Sequence, residues 1–179
     1  MRIDFNKLEH RSIEHIVINH GCTFNELYTL ISYTPEIRRL HFDHMSHNDT
    51  NIGILLPMTL SNLTHLSMYM HCVTFDEFEI LITKIYSKLK VLSLTTLSED
   101  MTYLDASRWE QLILQYSPQL EKFYLKYNTH FDDDYERPLY LGESNQFISS
   151  FWFERQWIFD AQIELNDIIY SIRPYKYIE

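Results

Sequence analysis

One apolar pattern recurs five times along the first two thirds of the chain. Each copy has a large aliphatic residue, two variable residues, an apolar residue, one variable residue and a second apolar residue. The copies occupy 13–18, 37–42, 63–68, 89–94 and 120–125, so their starts lie 24, 26, 26 and 31 residues apart. The alternation at the end of each copy is that of a strand with one buried face. Such a period predicts stacked copies of one small unit, because a single unit cannot bury its apolar face alone.

Between the copies the apolar period changes to that of a helix, and similar start signals mark three of these segments. A hydroxyl residue followed three positions later by glutamate forms a capping box, which satisfies backbone donors at the start of a helix. The three pairs are Thr23 with Glu26, Thr74 with Glu77, and Ser107 with Glu110. Each pair predicts a helix that starts directly after its hydroxyl residue.

A strand, a returning helix and the next strand are typical of a leucine-rich repeat, whose period is about 20 to 29 residues. We therefore predict an α/β fold: a leucine-rich-repeat solenoid of about five parallel strands with outer helices, joined by right-handed crossovers. The second unit is the weak one, because 49–60 contains Asn51, Gly53 and Pro57. We expect a single helical turn or a loop there.

The repeats stop before the last 50 residues. We predict a repeat array over 1–128, and over 129–179 an acidic connection and an aromatic C-terminal cap that packs on the array, all in one structural domain. Two antiparallel strands, about 157–163 and 168–172, are expected to form a hairpin in this cap. A cap is needed because the last repeat of a solenoid otherwise leaves its core open. Trp152 and Trp157 are expected to be cap residues, with a ligand-binding surface as the alternative.

Charge and hydropathy exclude several classes of partner. The chain has 15 basic and 25 acidic residues and a formal net charge of −10, whereas phosphate neutralisation needs clustered lysine and arginine. We expect no nucleic acid partner. No apolar run approaches the roughly 20 residues of a membrane span, and 1–10 carries charges where a signal peptide would be apolar. We expect no membrane partner and a cytoplasmic or nuclear location.

The two cysteines occupy equivalent places in the repeat pattern. Cys22 and Cys72 each lie nine residues after the start of a strand motif. We expect both to be small buried thiols at a strand-to-helix corner, and a disulfide would not fit the reducing compartment.

Motifs for catalysis are sparse. Only three glycines are present. We therefore expect no glycine-rich loop in which the backbone comes close to a bound phosphate group. His41, Asp43, His44 and His47 could hold zinc or iron, but the repeat pattern favours a solvated surface. The acidic run 132–136 lacks the alternating spacing and central glycine of a calcium loop. We expect that the protein is not an enzyme and has no cofactor, no metal site and no catalytic residues. A metal-dependent enzyme is the remote alternative.

Several segments resemble the C-terminal half of a large invertebrate family of F-box proteins with leucine-rich repeats. The segments are 34–37, 73–78, 103–113, 117–120, 147–157 and 170–175, and the resemblance extends over nearly the whole chain. It implies the substrate-recruiting arm of a cullin-based ubiquitin ligase, in which an F-box binds the adaptor and the repeats hold the target. No F-box is visible before Ile13, and only Asn128 matches the asparagine expected eight residues after each strand start. We therefore expect adaptor binding only in a longer relative.

The expected function is a non-enzymatic protein-protein interaction module. A free-standing binding protein, or a decoy without ligase coupling, is the alternative. The recognition surface should consist of the exposed strand positions, which alternate with the buried ones. They are Val17, Asn19, Arg39, His41, Asp43, His65, Ser67, Tyr69, Ser93, Thr95, Lys122, Tyr124 and Lys126. Arg39, Tyr69 and Tyr124 are ranked first, because arginine and aromatic side chains often anchor interfaces.

Overall fold

The computed structural model describes residues 13–46, 58–130, 147–164 and 167–175. The strands are β1 (His15–Cys22), β2 (Arg39–Ser46), β3 (Met58–Leu60), β4 (His65–His71), β5 (Ile85–Ser87), β6 (Val91–Leu97), β7 (Lys122–His130), β8 (Trp157–Glu164) and β9 (Asp167–Pro174). The helices are α1 (Phe24–Tyr33), α2 (Phe75–Lys84), α3 (Ala106–Tyr116) and α4 (Ser150–Glu154), and a 3-10 helix covers Met101–Leu104.

Seven strands form one mixed sheet in the order β1-β2-β4-β6-β7-β9-β8. The first five strands in this order pair in parallel, and β9 and β8 add an antiparallel end. The predicted α/β class, the parallel strands at the five repeat motifs and the C-terminal hairpin are therefore confirmed. The turn of the hairpin, at 165–166, lies outside the described residues.

A second sheet was not expected. The short strands β3 and β5 pair in parallel, and β3 lies at the end of the weak unit, where a helical turn or a loop was predicted. The preceding part of that unit, 49–57, lies outside the described residues. A three-residue strand gives too short a pattern for its period to be recognised.

Two of the three predicted capping boxes are confirmed. Thr23 and Thr74 cap α1 and α2, and in each helix the glutamate three residues later accepts a hydrogen bond from the N–H of the capping threonine. The box predicted at Ser107 is wrong. Helix α3 begins two residues earlier, at Ala106, and Oδ1 of Asp105 accepts from the N–H groups of Ser107 and Arg108 at 2.9 and 3.1 Å.

The helices pack on one face of the large sheet. Trp109 of α3 is fully buried, and its ring centroid lies 4.8 Å from that of Phe75 in α2 and 4.8 Å from that of Phe123 in β7. Its indole N–H donates to the carbonyl of Tyr103 at 2.8 Å. Helix α1 buries Phe24, Leu27 and Ile31 in the same core. The core therefore lies between the helices and a single face of the sheet.

The C-terminal segment continues this core past the last parallel strand. Trp152 and Trp157 are buried, at 1% and 3% exposure, and their rings lie 6.3 and 5.6 Å from that of Phe123. Arg155 lies over the ring of Phe151 at 4.0 Å, a cation–π geometry. Both tryptophans, expected from the sequence to be cap residues, are therefore part of the buried core. Strand β9 pairs along β7 from Leu125 to His130, so the hairpin covers the edge that β7 would otherwise present.

The predicted equivalence of the two cysteines is wrong. Cys22 is buried, but Cys72 is exposed and has a left-handed backbone with φ of 56°. The pairing register shifts between β1 and β2 and again between β2 and β4, so that Cys22 pairs with Met45, and Met45 pairs with Met70. Each shift adds one residue to the earlier strand, as a β-bulge does. The buried place that corresponds to Cys22 is therefore occupied by Met70.

Candidate protein-binding surface

The face of the large sheet that points away from the helices is called here the open face. None of the thirteen predicted recognition residues is buried, and strand pairing places eleven of them on this face. Val17 is 61% exposed, while Arg39, Lys122 and Lys126 are exposed and Tyr69 and Tyr124 are half-buried. In β4 and β6 these residues alternate strictly with buried ones. The period of two therefore assigns side chains to the two faces in the way that the sequence predicts.

Strand pairing arranges the open face in rows that cross the strands. One row is His15, Arg39, His65, Val91 and Lys122, and the next row is Val17, His41, Ser67, Ser93 and Tyr124. In the third row Tyr69, Thr95 and Lys126 are paired directly. Asn19 and Asp43 do not join this row by direct pairing, because each lies in the irregular part of its strand. His15 and Val91 belong to the surface by register and were missed by the sequence prediction.

The histidines near the middle of the open face are engaged with each other and with neighbouring side chains. The Nε2 atom of His41 lies 2.5 Å from Oδ1 of Asp43. The ring of His44 stacks on those of Tyr69 and His71, with centroid distances of 5.8 and 5.9 Å. His47, the fourth member of the metal-ligand set considered from the sequence, lies outside the described residues. Within the described residues no group of three or more histidine, cysteine or acidic side chains is placed to hold a metal ion.

A groove of about 350 Å³ lies on the open face where the parallel strands meet the C-terminal hairpin. Tyr124 and Lys126 of β7 line one side, and residues of β8 and β9 line the other. The hairpin residues are Asp160, Gln162, Glu164, Ile169, Ser171, Ile172 and Arg173. Ser171 pairs in register with both Lys126 and Asp160, which continues the third row across the hairpin.

The contribution of the hairpin to the open face was missed by the sequence prediction. The alternation within 168–172 was the signal that could have indicated it. That alternation shows which residues of β9 share a face, but not that β9 pairs with β7. Because β9 pairs with β7, side chains of the hairpin lie on the same open face as those of the repeat strands. The hairpin thus contributes to this face as well as to the cap.

A smaller groove of about 200 Å³ crosses β1, β2, β4 and β6 near their N-terminal ends. His15, Arg39 and His65 are among its lining residues. Burial lowers the pKa of His65, and the positive charges of Arg39, His15 and Lys122 lower it further, while Glu121 acts in the opposite direction. Thr64 Oγ1 lies 2.9 Å from Nδ1 of the same histidine. The fixed positive charges at this end of the open face are those of Arg39 and Lys122, which lie in one line of register with His65.

Other features bear on what the surface can do. The acidic run 132–136 lies outside the described residues. None of the described helices is both long enough and apolar enough to cross a membrane.

Comparisons with protein-family models, with curated proteins and with solved structures each found no match to this chain. The relation to F-box proteins with leucine-rich repeats therefore stays a prediction from the sequence.

Proposed function

We propose that this chain is a non-enzymatic protein-binding module whose partner lies across the open face. The observation that carries the proposal is the contrast between the two faces of one sheet. One face packs against α1, α2 and α3 in a continuous core, while the other carries half-buried tyrosines, exposed cations and two grooves. A face of mixed polar, aromatic and charged character is typical of protein interfaces.

The dimensions of the open face suit a protein partner. Seven strands at a spacing of about 4.8 Å extend roughly 29 Å, and strands of seven residues are about 23 Å long. The face is thus on the order of 700 Å², close to the roughly 800 Å² that each partner buries in a standard interface. A small ligand would need a more enclosed site, since drug-sized molecules are usually buried over most of their surface.

Three side chains are the proposed anchors. Tyr124 lines the larger groove, Tyr69 is supported by the ring of His44 at 5.8 Å, and Arg39 lines the smaller groove. The ring stack restricts the rotamers of Tyr69 before the partner binds, which reduces the entropy lost on binding. The three anchors lie on different strands and together extend over most of the parallel part of the sheet.

The finer architecture and the cellular role are also proposals. A leucine-rich-repeat solenoid with a C-terminal cap is supported by three features of the large sheet. Its parallel strands recur at the repeat period, the helices lie on one of its faces, and antiparallel strands form its C-terminal end. The resemblance of its segments to F-box proteins supports the role of a substrate-recruiting arm of a ubiquitin-ligase receptor. A free-standing binding protein or a decoy without ligase coupling is the alternative.

Affinity capture from cell lysate, read by mass spectrometry, tests the proposal when it is made with matched variants. Replacing Arg39, Tyr69 and Tyr124 with alanine should abolish recovery of specific partners. Replacing Leu114 and Phe153, which are 50% and 83% exposed on other elements, should leave recovery unchanged. Equal recovery by both variants would refute binding through the open face. Recovery of adaptor and cullin with the partner would favour the ligase role, and partner alone would favour the free-standing protein or decoy.

A further inference from the structure

The first row of the open face carries a set of cationic or protonatable side chains on four strands. They are His15 of β1, Arg39 of β2, His65 of β4 and Lys122 of β7, in one line of register that passes through Val91 of β6. This set is called the basic row. It occurs in a chain whose formal net charge is −10, so its composition is opposite to that of the molecule as a whole.

The carboxylates beside the basic row are already paired with other cations. Glu14 lies 3.4 Å from Arg38, and Glu121 accepts a hydrogen bond from Lys90 at 2.7 Å. Lys90 lowers the pKa of Glu121, so that this carboxylate is ionised and directed to Lys90. Within the part of the chain that the structure describes, no ion pair involves Arg39 or Lys122. Both side chains are exposed, and Lys122 interacts electrostatically with the nearby Glu121 without forming an ion pair with it.

From this arrangement we propose that the basic row selects an extended acidic peptide segment of the partner protein, with carboxylates four residues apart. The proposal rests on the proposed protein-binding function and specifies the chemistry of the partner. Its physical basis is charge complementarity, which favours opposite potentials across an interface and acts strongly on specificity.

The spacing of four residues follows from strand geometry. Arg39 and Lys122 are separated by three strand intervals of about 4.8 Å, which places them roughly 14 Å apart. An extended peptide that crosses the strands rises about 3.4 Å per residue, so that residues i and i+4 are also about 14 Å apart and point to the same side. Carboxylates at these two positions would meet Arg39 and Lys122 together, and His15 and His65 would flank the first of them.

The net negative charge of the chain does not prevent this attraction. At physiological ionic strength the Debye length is about 8 Å, so that distant exposed charges are largely screened while contacts within the row are not. The basic row therefore acts locally. Binding should weaken as salt is added, because the charges that make the contact are exposed.

The first test uses a phage-displayed library of random 12-residue peptides, selected on the intact chain at about 0.15 M salt. The expected result is enrichment of aspartate or glutamate in pairs at i and i+4, relative to the unselected library. Enrichment of peptides without such pairs, or of none, would overturn the inference. Lysate capture with the variant in which Arg39, Tyr69 and Tyr124 are replaced with alanine tests the proposed function separately. Protein binding through the open face can therefore be supported even if the library shows no preference for acidic peptides.

The second test titrates an enriched peptide against matched variants. Arg39→Gln with Lys122→Gln should weaken binding about fivefold to tenfold, the effect expected for two exposed ion pairs. Lys84→Gln with Lys88→Gln removes the same charge away from the row and should change affinity less than about twofold. Equal weakening by both pairs would show a general charge effect and overturn the inference.

A gain of affinity gives a readout that misfolding cannot imitate. Glu14→Gln with Glu121→Gln removes the two carboxylates beside the row and frees Arg38 and Lys90, so binding should tighten about twofold or more. Unchanged or weaker binding would count against the row. A single-stranded oligonucleotide of 20 thymidines that bound as tightly, and was lost in the same Arg39 and Lys122 variant, would overturn the assignment to a peptide.

Discussion

Asp100 connects two neighbouring units of the fold, and replacing it should destabilise the protein. It lies after β6, where Oδ1 accepts hydrogen bonds from the N–H and hydroxyl of Thr102 at 3.0 and 2.5 Å. Its Oδ2 accepts from the N–H of Phe75, the first residue of α2, at 2.7 Å. One carboxylate thus caps the 3-10 helix and also binds a backbone donor of the preceding helix.

We expect Asp100→Ala to lower the free energy of unfolding by about 2 kcal/mol. Loss of a cap costs about 1 kcal/mol, and leaving the part-buried N–H of Phe75 without its charged acceptor costs about another 1 kcal/mol. In a chain of this size the change should lower Tm by about 4–8 °C. Asp100→Asn should cost roughly half as much, since its amide oxygen can still serve Thr102 while its NH₂ group faces the N–H of Phe75.

The measurement is urea unfolding followed by tryptophan fluorescence, because Trp109, Trp152 and Trp157 are all buried. Glu99→Gln is the matched control: Glu99 is the exposed neighbour, and its replacement should change stability by less than about 0.5 kcal/mol. A loss for Asp100→Ala no larger than that of the control would refute the role assigned to these hydrogen bonds.

The pH dependence gives a second check on Asp100. Burial alone would raise its pKa, but hydrogen bonds from Thr102 and from the N–H of Phe75 outweigh burial, so that the pKa lies below its ordinary value. A carboxylate with a lowered pKa in the folded state contributes stability that is present above its unfolded pKa, near pH 4, and is lost as the pH falls through its folded pKa. The difference between the wild-type chain and Asp100→Ala should therefore narrow as the pH falls below about 4. A constant difference would show that the charge is not responsible.

Two further predictions concern α3 and are measured by the same unfolding assay. Asp105→Ala should lower the free energy of unfolding by about 1 kcal/mol because it removes the N-cap, whereas Ser107→Ala should lower it by less than about 0.5 kcal/mol. A larger loss for Ser107→Ala than for Asp105→Ala would support the capping box predicted from the sequence. Trp109→Phe should cost about 2 kcal/mol, since it leaves a void in the core and removes the donor to the Tyr103 carbonyl. Leu114→Ala, at a half-exposed position of the same helix, should cost less than about 1 kcal/mol, and equal losses would contradict the central place of Trp109 in the core.

Local patterns predicted those elements whose determinants are close together in sequence. The strand motifs identified the five parallel strands, and Thr23 and Thr74 identified the starts of two helices, because a cap depends only on residues within one turn. At α3 two local signals competed. Ser107 with Glu110 fits the capping box, but Asp105 caps the helix two residues earlier, and Ala106 is then one of its buried residues. Glu110 accepts instead from the hydroxyl of Ser149 at 2.9 Å, a partner that local sequence could not indicate.

The candidate surface was predictable to the extent that it depends on alternation. A period of two assigns each residue of a regular strand to one face: none of the thirteen predicted residues is buried, and strand pairing places eleven of them on the open face. Bulges break this rule, because one extra residue shifts every later position, and they account for the different environments of Cys22 and Cys72. The register between neighbouring strands could not be predicted from alternation. The basic row depends on this register, so it could not be predicted either.

The sequence by itself determined the class of the fold, the five parallel strands, the hairpin and the residues of each repeat strand that face away from the core, because these follow from periodicity and short-range hydrogen bonding. The tertiary structure decided what depends on register and on contacts between distant segments. Pairing of β9 with β7 adds the hairpin to the open face and forms the larger groove. Register brings His15, Arg39, His65 and Lys122 into one row. The reason is that alternation fixes only which side of a strand a residue faces, while its neighbours across the sheet are fixed by the packing of the whole chain.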